Sequence, residues 1–515
     1  MRRWLPLLIC FLHLLTLAYL ARQHPFGNFA TETDFYHFYA PDAERIGAGQ
    51  FPNNTYQGPG YPALLALIDW MTGGDLFAIG KWLSVICAAL VGLLTFKLFA
   101  HLFDYWTGIG AQLIVIVSGE FPQFAINATT DVFFLLICLL VLVVFTSDSI
   151  SPGWRAVSAG ALTGLVYLTR YNGLFLLAAC LAGVILLNIF ERRMPERWLL
   201  AGFLLAAFFA AASPWLLANY KHRGTPFYNT NYLNLATEFY PELVAGKTNQ
   251  DGTRVLEQRF HSFGDVLGYD PKRIITHYPV NLYESLRLSI NDNLVNGLVG
   301  WFAVLGIALA LIRRRSKNVT LILLAGAIYV SLTALTHWET RYYFFLMILY
   351  AGFSIYAVSC LSELVRKRNW IGQPAAAIIS VSLVAVMWSL SLVQSRKDVN
   401  RFLAGQPWEI IAARDYLNSV NPEGVRFKIV ARKPHLPYLA RSEWIFFPQV
   451  KSIEEFRDWV DAHHADYIAI GKRELRERKE LAPLGDPKNA PPWLKAVWMN
   501  DDPVFILYKP EAKSE

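Results

Sequence analysis

Residues 76–100 read LFAIGKWLSVICAALVGLLTFKLFA, an almost unbroken apolar stretch with Lys81 near one end and Lys97 near the other. A helix needs roughly 20 predominantly apolar residues to cross the hydrocarbon core of a bilayer, and this stretch is long enough. Similar apolar runs recur along the chain, and no soluble fold needs so many. The sequence therefore predicts an integral membrane protein that crosses the bilayer many times.

The composition of the whole chain agrees with this prediction. Of the 515 residues, 54% are hydrophobic and only 17% are charged, whereas soluble proteins carry about 25% charged residues. The net charge of +7 lies mainly in short clusters beside apolar runs, so we interpret it as a topology signal and not as a nucleic-acid surface. The cysteines lie in apolar stretches and no metal-ligand spacing is present, which disfavours disulfides and a zinc site.

Hydropathy predicts about eleven transmembrane helices. They lie near 4–21, 76–100, 107–125, 129–147, 155–170, 172–190, 198–218, 294–312, 318–336, 341–361 and 372–393. We interpret the first as a retained helix, because its apolar run is longer than that of a typical signal peptide. The apolar segment from Tyr61 to Met71 is too short to span and is predicted to be interfacial or re-entrant.

Basic residues orient these helices, because cytoplasmic loops carry an excess of Lys and Arg. The clusters on the predicted cytoplasmic side are Arg2-Arg3, Lys97, Arg155, Arg192-Arg193 with Arg197, Arg313-Arg314-Arg315-Lys317 and Arg366-Lys367-Arg368. An odd number of spans then places the N-terminus in the cytoplasm and the C-terminal tail on the opposite face.

We accordingly divide the chain into a membrane domain, 1–394, with outer loops at 22–75 and 219–293, and a soluble α/β domain, 395–515. Periodicity in the tail predicts two helices and three short strands. The helices are Trp408 to Val420 and Ile453 to His463, and the strands are Phe427 to Ala431, Tyr467 to Gly471 and Val504 to Tyr508.

Three acids are predicted at the outer face. Asp34 follows the first helix, at the water–lipid boundary, where a carboxylate could take a proton from a hydroxyl or amine. The spacing Thr31-x-x-Asp34 also matches a capping box, so a purely structural role for Asp34 stays open. Asp131 begins the fourth span with Glu120 shortly before it, and an acid in a first turn is also favoured by the helix dipole alone.

Basic groups are predicted at the same face. Arg170, Arg341 and Lys81 lie at the outer ends of spans, with His337 close to Arg341 in sequence. Snorkelling of a long cationic side chain to the interface accounts for any one of them. Together they could bind a lipid phosphate and neutralise charge that builds on a phosphate leaving group.

The ordered set of motifs resembles the GT-C glycosyltransferases, in particular the branch that contains protein O-mannosyltransferases and the aminoarabinose transferases of lipid A. The resemblance covers roughly residues 1–395. The matching pieces are Asp34-Phe-Tyr, Gln57-Gly-Pro-Gly-Tyr-Pro62, Thr130-Asp131, Thr169-Arg170-Tyr171-Asn-Gly-Leu174 and Glu339-Thr-Arg341-Tyr342.

The resemblance implies a GT-C-like membrane fold and an enzyme of the plasma membrane, in bacteria the inner membrane. Such an enzyme moves a sugar from a polyprenyl-phosphate donor to an extracytoplasmic lipid, glycan or protein, usually with inversion. Asp34 would be the general base, Asp131 a supporting acid and Arg341 a contact to the lipid phosphate. Further implied substrate contacts are Arg170, Lys81, His337, Tyr342, Tyr56 and Glu120. A divalent metal ion stays open, since no ligand spacing is diagnostic.

Phe35 departs from the mannosyltransferase pattern, in which a second acid follows the first, and no sugar-binding domain interrupts the long loop. Both departures disfavour protein O-mannosylation. A transporter or flippase of a lipid-linked sugar is the main alternative, although transporters more often have repeated halves and ionisable groups at mid-span. A membrane scaffold would explain the tail but not the acids and arginines at one face.

Overall fold

The computed structural model describes residues 3–291, 294–313, 316–368 and 372–511. The described chain forms two compact units. The first contains Met1–Pro25, Tyr39–Ala245 and Val255–Ala404, and the second contains Phe26–Phe38, Gly246–Arg254 and Gly405–Glu515. Arg2, Arg314 and Arg315 of the predicted basic clusters lie outside the described residues.

The first unit is helical. Its helices are Leu5–Arg22, Ala40–Gly47, Gly60–Thr72, Leu76–Leu102, Tyr105–Val115, Phe121–Phe124, Asp131–Thr146, Pro152–Thr169, Leu174–Ile185, Met194–Arg223, Tyr232–Phe239, Phe263–Tyr269, Pro271–Ser289, Gly297–Arg313, Lys317–Thr333, Phe344–Lys367 and Gln373–Ala404. The helix Asn249–Arg259 passes from the second unit into the first. Several helices begin at an aspartate whose carboxylate accepts backbone N–H groups, as Asp75 does from Ala78 at 2.8 Å.

Five helical stretches in the described ranges are long and apolar enough to cross a membrane. They are Leu5–Arg22, Leu76–Leu102, Met194–Arg223, Thr340–Lys367 and Gln373–Ser419. Four shorter apolar helices, Asp131–Thr146, Tyr171–Ile185, Gly297–Arg313 and Lys317–Thr333, coincide with four further predicted spans. The chain therefore has the apolar helices of a membrane protein, while the count of eleven crossings and their orientation stay predictions.

One predicted span is not a continuous helix. Residues 107–125 divide between the helices Tyr105–Val115 and Phe121–Phe124. The break includes Gly119, whose φ of +45° lies outside the helical region. Glu120, which follows it, therefore lies in a turn between two helices.

The helix Phe344–Lys367 is central to the packing of the first unit, since nearly every side chain from Phe344 to Val358 is buried. A helix that is apolar on all sides lies in a protein core or in lipid, and here neighbouring helices bury it. Its neighbours include Gly297–Arg313 and Tyr105–Val115. The short turn Thr340–Tyr343 leads directly into it, so this turn is fixed at the edge of the best-packed part of the unit.

The second unit contains a five-stranded sheet. Its strands are β1 (Lys428–Val430), β2 (Glu443–Ile445), β3 (Tyr467–Gly471), β4 (Leu494–Asp501) and β5 (Val504–Pro510), in the order β2-β1-β3-β5-β4. β1 is parallel to β2 and β3, whereas β5 is antiparallel to β3 and β4. The three predicted strands all form, and β2 and β4 are additional. The helices of the tail are Trp408–Ser419, His435–Leu439, Ile453–His463 and Lys472–Glu477.

The second unit begins at Gly405, because the helix from Gln373 continues to Ala404, past the predicted boundary at 394. It also takes the segment Phe26–Phe38 from the outer loop that we assigned to the membrane domain. His435 Nε2 lies 2.9 Å from the carbonyl oxygen of Asn28, and the Tyr36 and His435 rings are 4.7 Å apart. These buried contacts make the segment part of the second unit.

Candidate functional site

Three charged residues of the sequence motifs come together in the first unit because each lies at the end of a helix. Asp131 is the first residue of the helix Asp131–Thr146, and Arg170 follows the last residue of Pro152–Thr169. Arg341 lies in the turn Thr340–Tyr343 that precedes the central helix. Residues far apart in sequence are thus brought to one place by helix packing.

The centre of this cluster is a buried ion pair. The Asp131 side chain is 1% exposed and that of Arg170 is 12% exposed, and Arg170 Nη1 donates to Asp131 Oδ1. Arg341 Nη1 lies 3.9 Å from Asp131 Oδ2. The guanidinium carbons of Arg170 and Arg341 lie 5.2 and 5.1 Å from the centre of the Tyr342 ring, within reach of a cation–π interaction.

Glu339 is the second counter-ion of Arg341. Its Oε2 accepts from Arg341 Nε at 2.5 Å, and its Oε1 lies 3.3 Å from His337 Nε2. Burial opposes ionisation of Glu339, but the hydrogen bond from His337 and the charge of Arg341 outweigh it and lower the pKa to about 2. Its side chain is 37% exposed, compared with 10% for Arg341. Arg341 therefore faces a buried carboxylate on one side and a partly exposed one on the other.

Glu120 lies at the edge of the same cluster. Its carboxylate accepts a hydrogen bond from the Thr340 side chain and interacts electrostatically with Glu339 and Arg341. Five of the predicted site residues are therefore neighbours around Arg341: Glu120, Asp131, Arg170, His337 and Tyr342.

The arrangement does not fit a divalent metal ion. No group of three or more His, Cys, Asp or Glu that could hold a metal occurs in the described part of the chain. At Asp131 two guanidinium groups already face the carboxylate, and their positive charge repels a cation. Charge stabilisation in this cluster would therefore come from arginine.

Contacts among Tyr39, Gln57 and Thr130 link the motifs. Tyr39 donates a hydrogen bond to Gln57 Oε1 at 2.6 Å, and Thr130 Oγ1 lies 3.5 Å from the same oxygen. Gln57 begins the motif that continues to Pro62, and Thr130 precedes Asp131. Gln57 and Thr130 lie within motifs that the sequence analysis quotes, so the sequence indicated their positions, but it did not indicate their contact.

Close packing explains why the motif from Gln57 to Pro62 has glycine at position 58. A Cβ atom at residue 58 would lie 2.1 Å from the carbonyl oxygen of Leu168, which is shorter than any real contact. The loop thus packs directly on the backbone that leads into Arg170. The glycine motif therefore helps to position Arg170.

Lys81 and Tyr56 make their main contacts elsewhere in the first unit. Lys81 Nζ donates to the carbonyl oxygen of His24 at 2.6 Å, just beyond the end of the first helix. Tyr56 packs against the cluster of outer-loop residues around Tyr232 and Phe260. Each is buried or half-buried among residues other than the two arginines.

Asp34 belongs to the second unit and is half-buried. Its neighbour Thr33 accepts a hydrogen bond from Lys433 Nζ at 3.0 Å. Burial and the charge of Arg432 lower the pKa of Lys433 to about 8, against an opposing contribution from the Asp34 carboxylate. Asp34 therefore has the Lys433 ammonium group as an electrostatic neighbour.

One family model matches part of the chain. The sequence model of dolichyl-phosphate-mannose-protein mannosyltransferase matches residues 56–217. The match includes Asp131 and Arg170 and excludes Asp34 and Arg341. The comparison with curated proteins finds no significant match.

Solved structures share the fold. The oligosaccharyltransferase AglB from Archaeoglobus fulgidus, solved with an inhibitory peptide and a dolichol-phosphate, has a TM-score of 0.63 at 14% identity over 92% of this chain and 70% of that one. ArnT from Cupriavidus metallidurans, bound to undecaprenyl phosphate, has a TM-score of 0.60 at 10% identity over 98% of each chain. The mycobacterial arabinofuranosyltransferase AftD has a TM-score of 0.52 at 14% identity over 100% of this chain and 42% of that one. The resemblance stated from the sequence is confirmed.

We expect Asp131→Asn to destabilise the first unit by about 3–5 kcal/mol, because it leaves the buried Arg170 guanidinium without its counter-ion. Thermal unfolding of the purified protein in detergent measures this effect. Asp148→Asn is the matched control, since Asp148 is 79% exposed and lies 3.8 Å from Arg155; its loss should cost at most about 1 kcal/mol. Equal melting temperatures for the two variants would contradict the central role of the pair.

We expect Gly58→Ala to cost about 1–3 kcal/mol, because the new methyl group overlaps the Leu168 carbonyl and must displace the loop. Hydrogen exchange of residues 166–173 and thermal unfolding measure the change. Gly47→Ala in the same outer loop is the control, since no atom lies within 4 Å of its added Cβ. Unchanged exchange in Gly58→Ala would show that this packing does not hold Arg170.

Proposed function

We propose that this chain is a membrane glycosyltransferase that transfers a sugar from a polyprenyl-phosphate donor to an extracytoplasmic acceptor. The observation that carries the proposal is the buried Arg170–Asp131–Arg341 cluster in a fold shared with ArnT and AglB. Both of those proteins were solved with a polyprenyl phosphate. The family match over residues 56–217 includes two members of the cluster.

In the proposed mechanism, Arg341 binds the phosphate of the donor. Phosphate takes the place of Glu339, the partly exposed counter-ion, while Asp131 keeps Arg170 and the inner side of Arg341 in position. A guanidinium group donates two parallel hydrogen bonds to phosphate. Negative charge grows on the phosphate oxygen as its bond to the sugar breaks, so a fixed cation stabilises the transition state more than the ground state.

The acceptor is activated by a base, for which we propose Asp34. The carboxylate takes the proton of the acceptor hydroxyl or amine while that atom bonds to the anomeric carbon and the polyprenyl phosphate leaves. A single displacement of this kind inverts the anomeric centre. The ammonium group of Lys433 is an electrostatic neighbour of this carboxylate. This assignment rests on the sequence motif and on the charge beside Asp34.

We expect Asp34→Asn to lower kcat by about 10²–10⁴-fold, the usual contribution of a general base. The assay incubates the full chain in nanodiscs with radiolabelled polyprenyl-phosphate sugars and membrane extract. Glu44→Gln, an exposed acid of the same outer loop, should keep wild-type activity. Full activity in Asp34→Asn would exclude it as the base. A wild type that moves the lipid-linked sugar across the bilayer without transferring it would be a flippase instead.

We expect Arg341→Ala to raise the donor KM by about 10–100-fold, because the phosphate loses a charged hydrogen-bond donor. Arg341→Lys should recover part of the affinity, since the charge returns without the bidentate geometry. The control is Arg287→Ala, which removes an exposed arginine paired with Glu284. A donor KM and a kcat that are both unchanged in Arg341→Ala would place the phosphate site elsewhere.

A further inference from the structure

The second unit contains a cavity of about 750 Å³ beside the edge strand β2. This volume is within the roughly 300–1,000 Å³ typical of small-molecule sites. The strand β2 and the following Phe446 form one wall, and the last turn of the helix Ile453–His463 forms another. The cavity opens to the surface, and more of its lining is polar than apolar.

Aromatic rings line this polar cavity. Trp444, Phe446 and Trp459 are all half-buried, so part of each ring is covered by protein and part is available. Trp444 is held in place, because its indole N–H donates to the carbonyl oxygen of Ala431 at 2.8 Å. The Trp444 and Phe446 ring centres are 3.9 Å apart. A rigid, partly exposed indole costs little conformational entropy when a ligand stacks on it.

Two fixed cations, Arg254 and Lys428, are among the polar side chains of the cavity, which also include Gln449, His463 and His464. Arg254 projects from the helix Asn249–Arg259, and Lys428 lies at the start of β1. Glu443, on β2, is the one carboxylate among the lining residues in the described part of the chain. Trp459 is stacked with His463 at 4.1 Å between ring centres. The lining therefore offers hydrogen-bond donors, one carboxylate acceptor and net positive charge.

The same aromatic pair contacts the segment that carries Asp34. His37 lies three residues after Asp34, and its ring is 4.7 Å from Trp444 and 5.7 Å from Phe446. All of these residues belong to the second unit. A ligand held against Trp444 is therefore held close to the turn of chain in which Asp34 lies.

We propose that this cavity binds the acceptor, and that the acceptor is a saccharide, preferentially one with an acidic group. The proposal rests on the glycosyltransferase function above and narrows its acceptor from lipid, glycan or protein to a glycan. The C–H faces of a sugar ring stack on Trp444 or Trp459, and its hydroxyls bond to the polar rim. Arg254 and Lys428 pair with the acidic group.

The chemistry of the lining favours a saccharide over a peptide. A peptide that added to the sheet would bind through its backbone along β2, but β2 is only three residues long. A sugar ring, by contrast, has apolar C–H faces and polar edges, and therefore needs aromatic faces and charged or polar groups side by side. This combination occurs at Trp444, Trp459, Arg254 and Glu443.

Binding of oligosaccharides to the full chain in nanodiscs tests the proposal by calorimetry, without the donor. The probes are chitotriose, maltotriose, laminaritriose and trigalacturonate. We expect at least one to bind, with trigalacturonate preferred, and Trp444→Ala or Trp459→Ala to weaken binding about tenfold or more. Arg254→Gln should remove the preference for the acidic probe.

Trp498→Ala is the matched control, because Trp498 is a half-buried indole on β4, the opposite edge of the sheet. Trp498→Ala should leave oligosaccharide binding unchanged. Trp444→Phe should keep part of the binding, because its ring still offers a stacking surface. Melting temperatures identify any variant that loses binding because it unfolds. If Trp444→Ala and Trp498→Ala are both folded and lose oligosaccharide binding equally, the proposal is overturned.

Failure of this inference differs from failure of the proposed function. If no trisaccharide binds while the wild type still transfers sugar from the donor, the cavity is not the acceptor site. The same conclusion follows if the cavity variants lose binding of an unglycosylated Ser/Thr peptide and not of a saccharide. If oligosaccharides bind at Trp444 but no donor is ever used, the saccharide site stands and the transferase function fails.

Discussion

The ion pair between Asp131 and Arg170 is the interaction on which the candidate site depends. It joins the start of one apolar helix to the end of another, and both side chains are almost fully buried. Two charges taken out of water must satisfy each other, and removal of either one leaves an uncompensated charge. The pair therefore fixes the two helix ends relative to each other. Arg341, 3.9 Å from the same carboxylate, is positioned by this arrangement.

The two carboxylates around Arg341 differ in burial, which suits the replacement of one of them by a phosphate. Asp131 is buried and holds Arg170, so its loss would leave that charge unpaired. Glu339 is more exposed and belongs to a loop, where burial opposes its charge and His337 and Arg341 favour it, so that its pKa falls to about 2. A phosphate has the charge and geometry to replace the exposed partner and leave the buried one in place. Under the proposed function, Glu339 would satisfy the Arg341 guanidinium group until the donor phosphate binds there.

The second unit includes a segment from the N-terminal part of the chain as well as the tail. It takes Phe26–Phe38 from the first outer loop, with Asn28, Phe29 and Tyr36 packed around His435. The chain segment that carries Asp34 is thus folded by residues about 400 positions away. Under the proposed function, the tail would then have two tasks: Lys433 would set the charge around the base, and the cavity beside β2 would hold the acceptor.

Local patterns predicted many of the helices and strands of this protein, although they missed β2, β4 and the break within 107–125. The apolar run at 76–100 predicts the helix Leu76–Leu102, and the tail periodicity predicts β3 and the helix Ile453–His463, because helix length and side-chain alternation depend on neighbouring residues alone. The motifs also singled out Asp131, Arg170 and Arg341 one by one as candidate site residues. The tertiary structure decided that these three meet, that Lys81 contacts His24 instead, and that Asp34 folds with the tail. Such contacts depend on how helices pack, and a linear pattern of apolar residues carries no information about which polar helix ends will face each other.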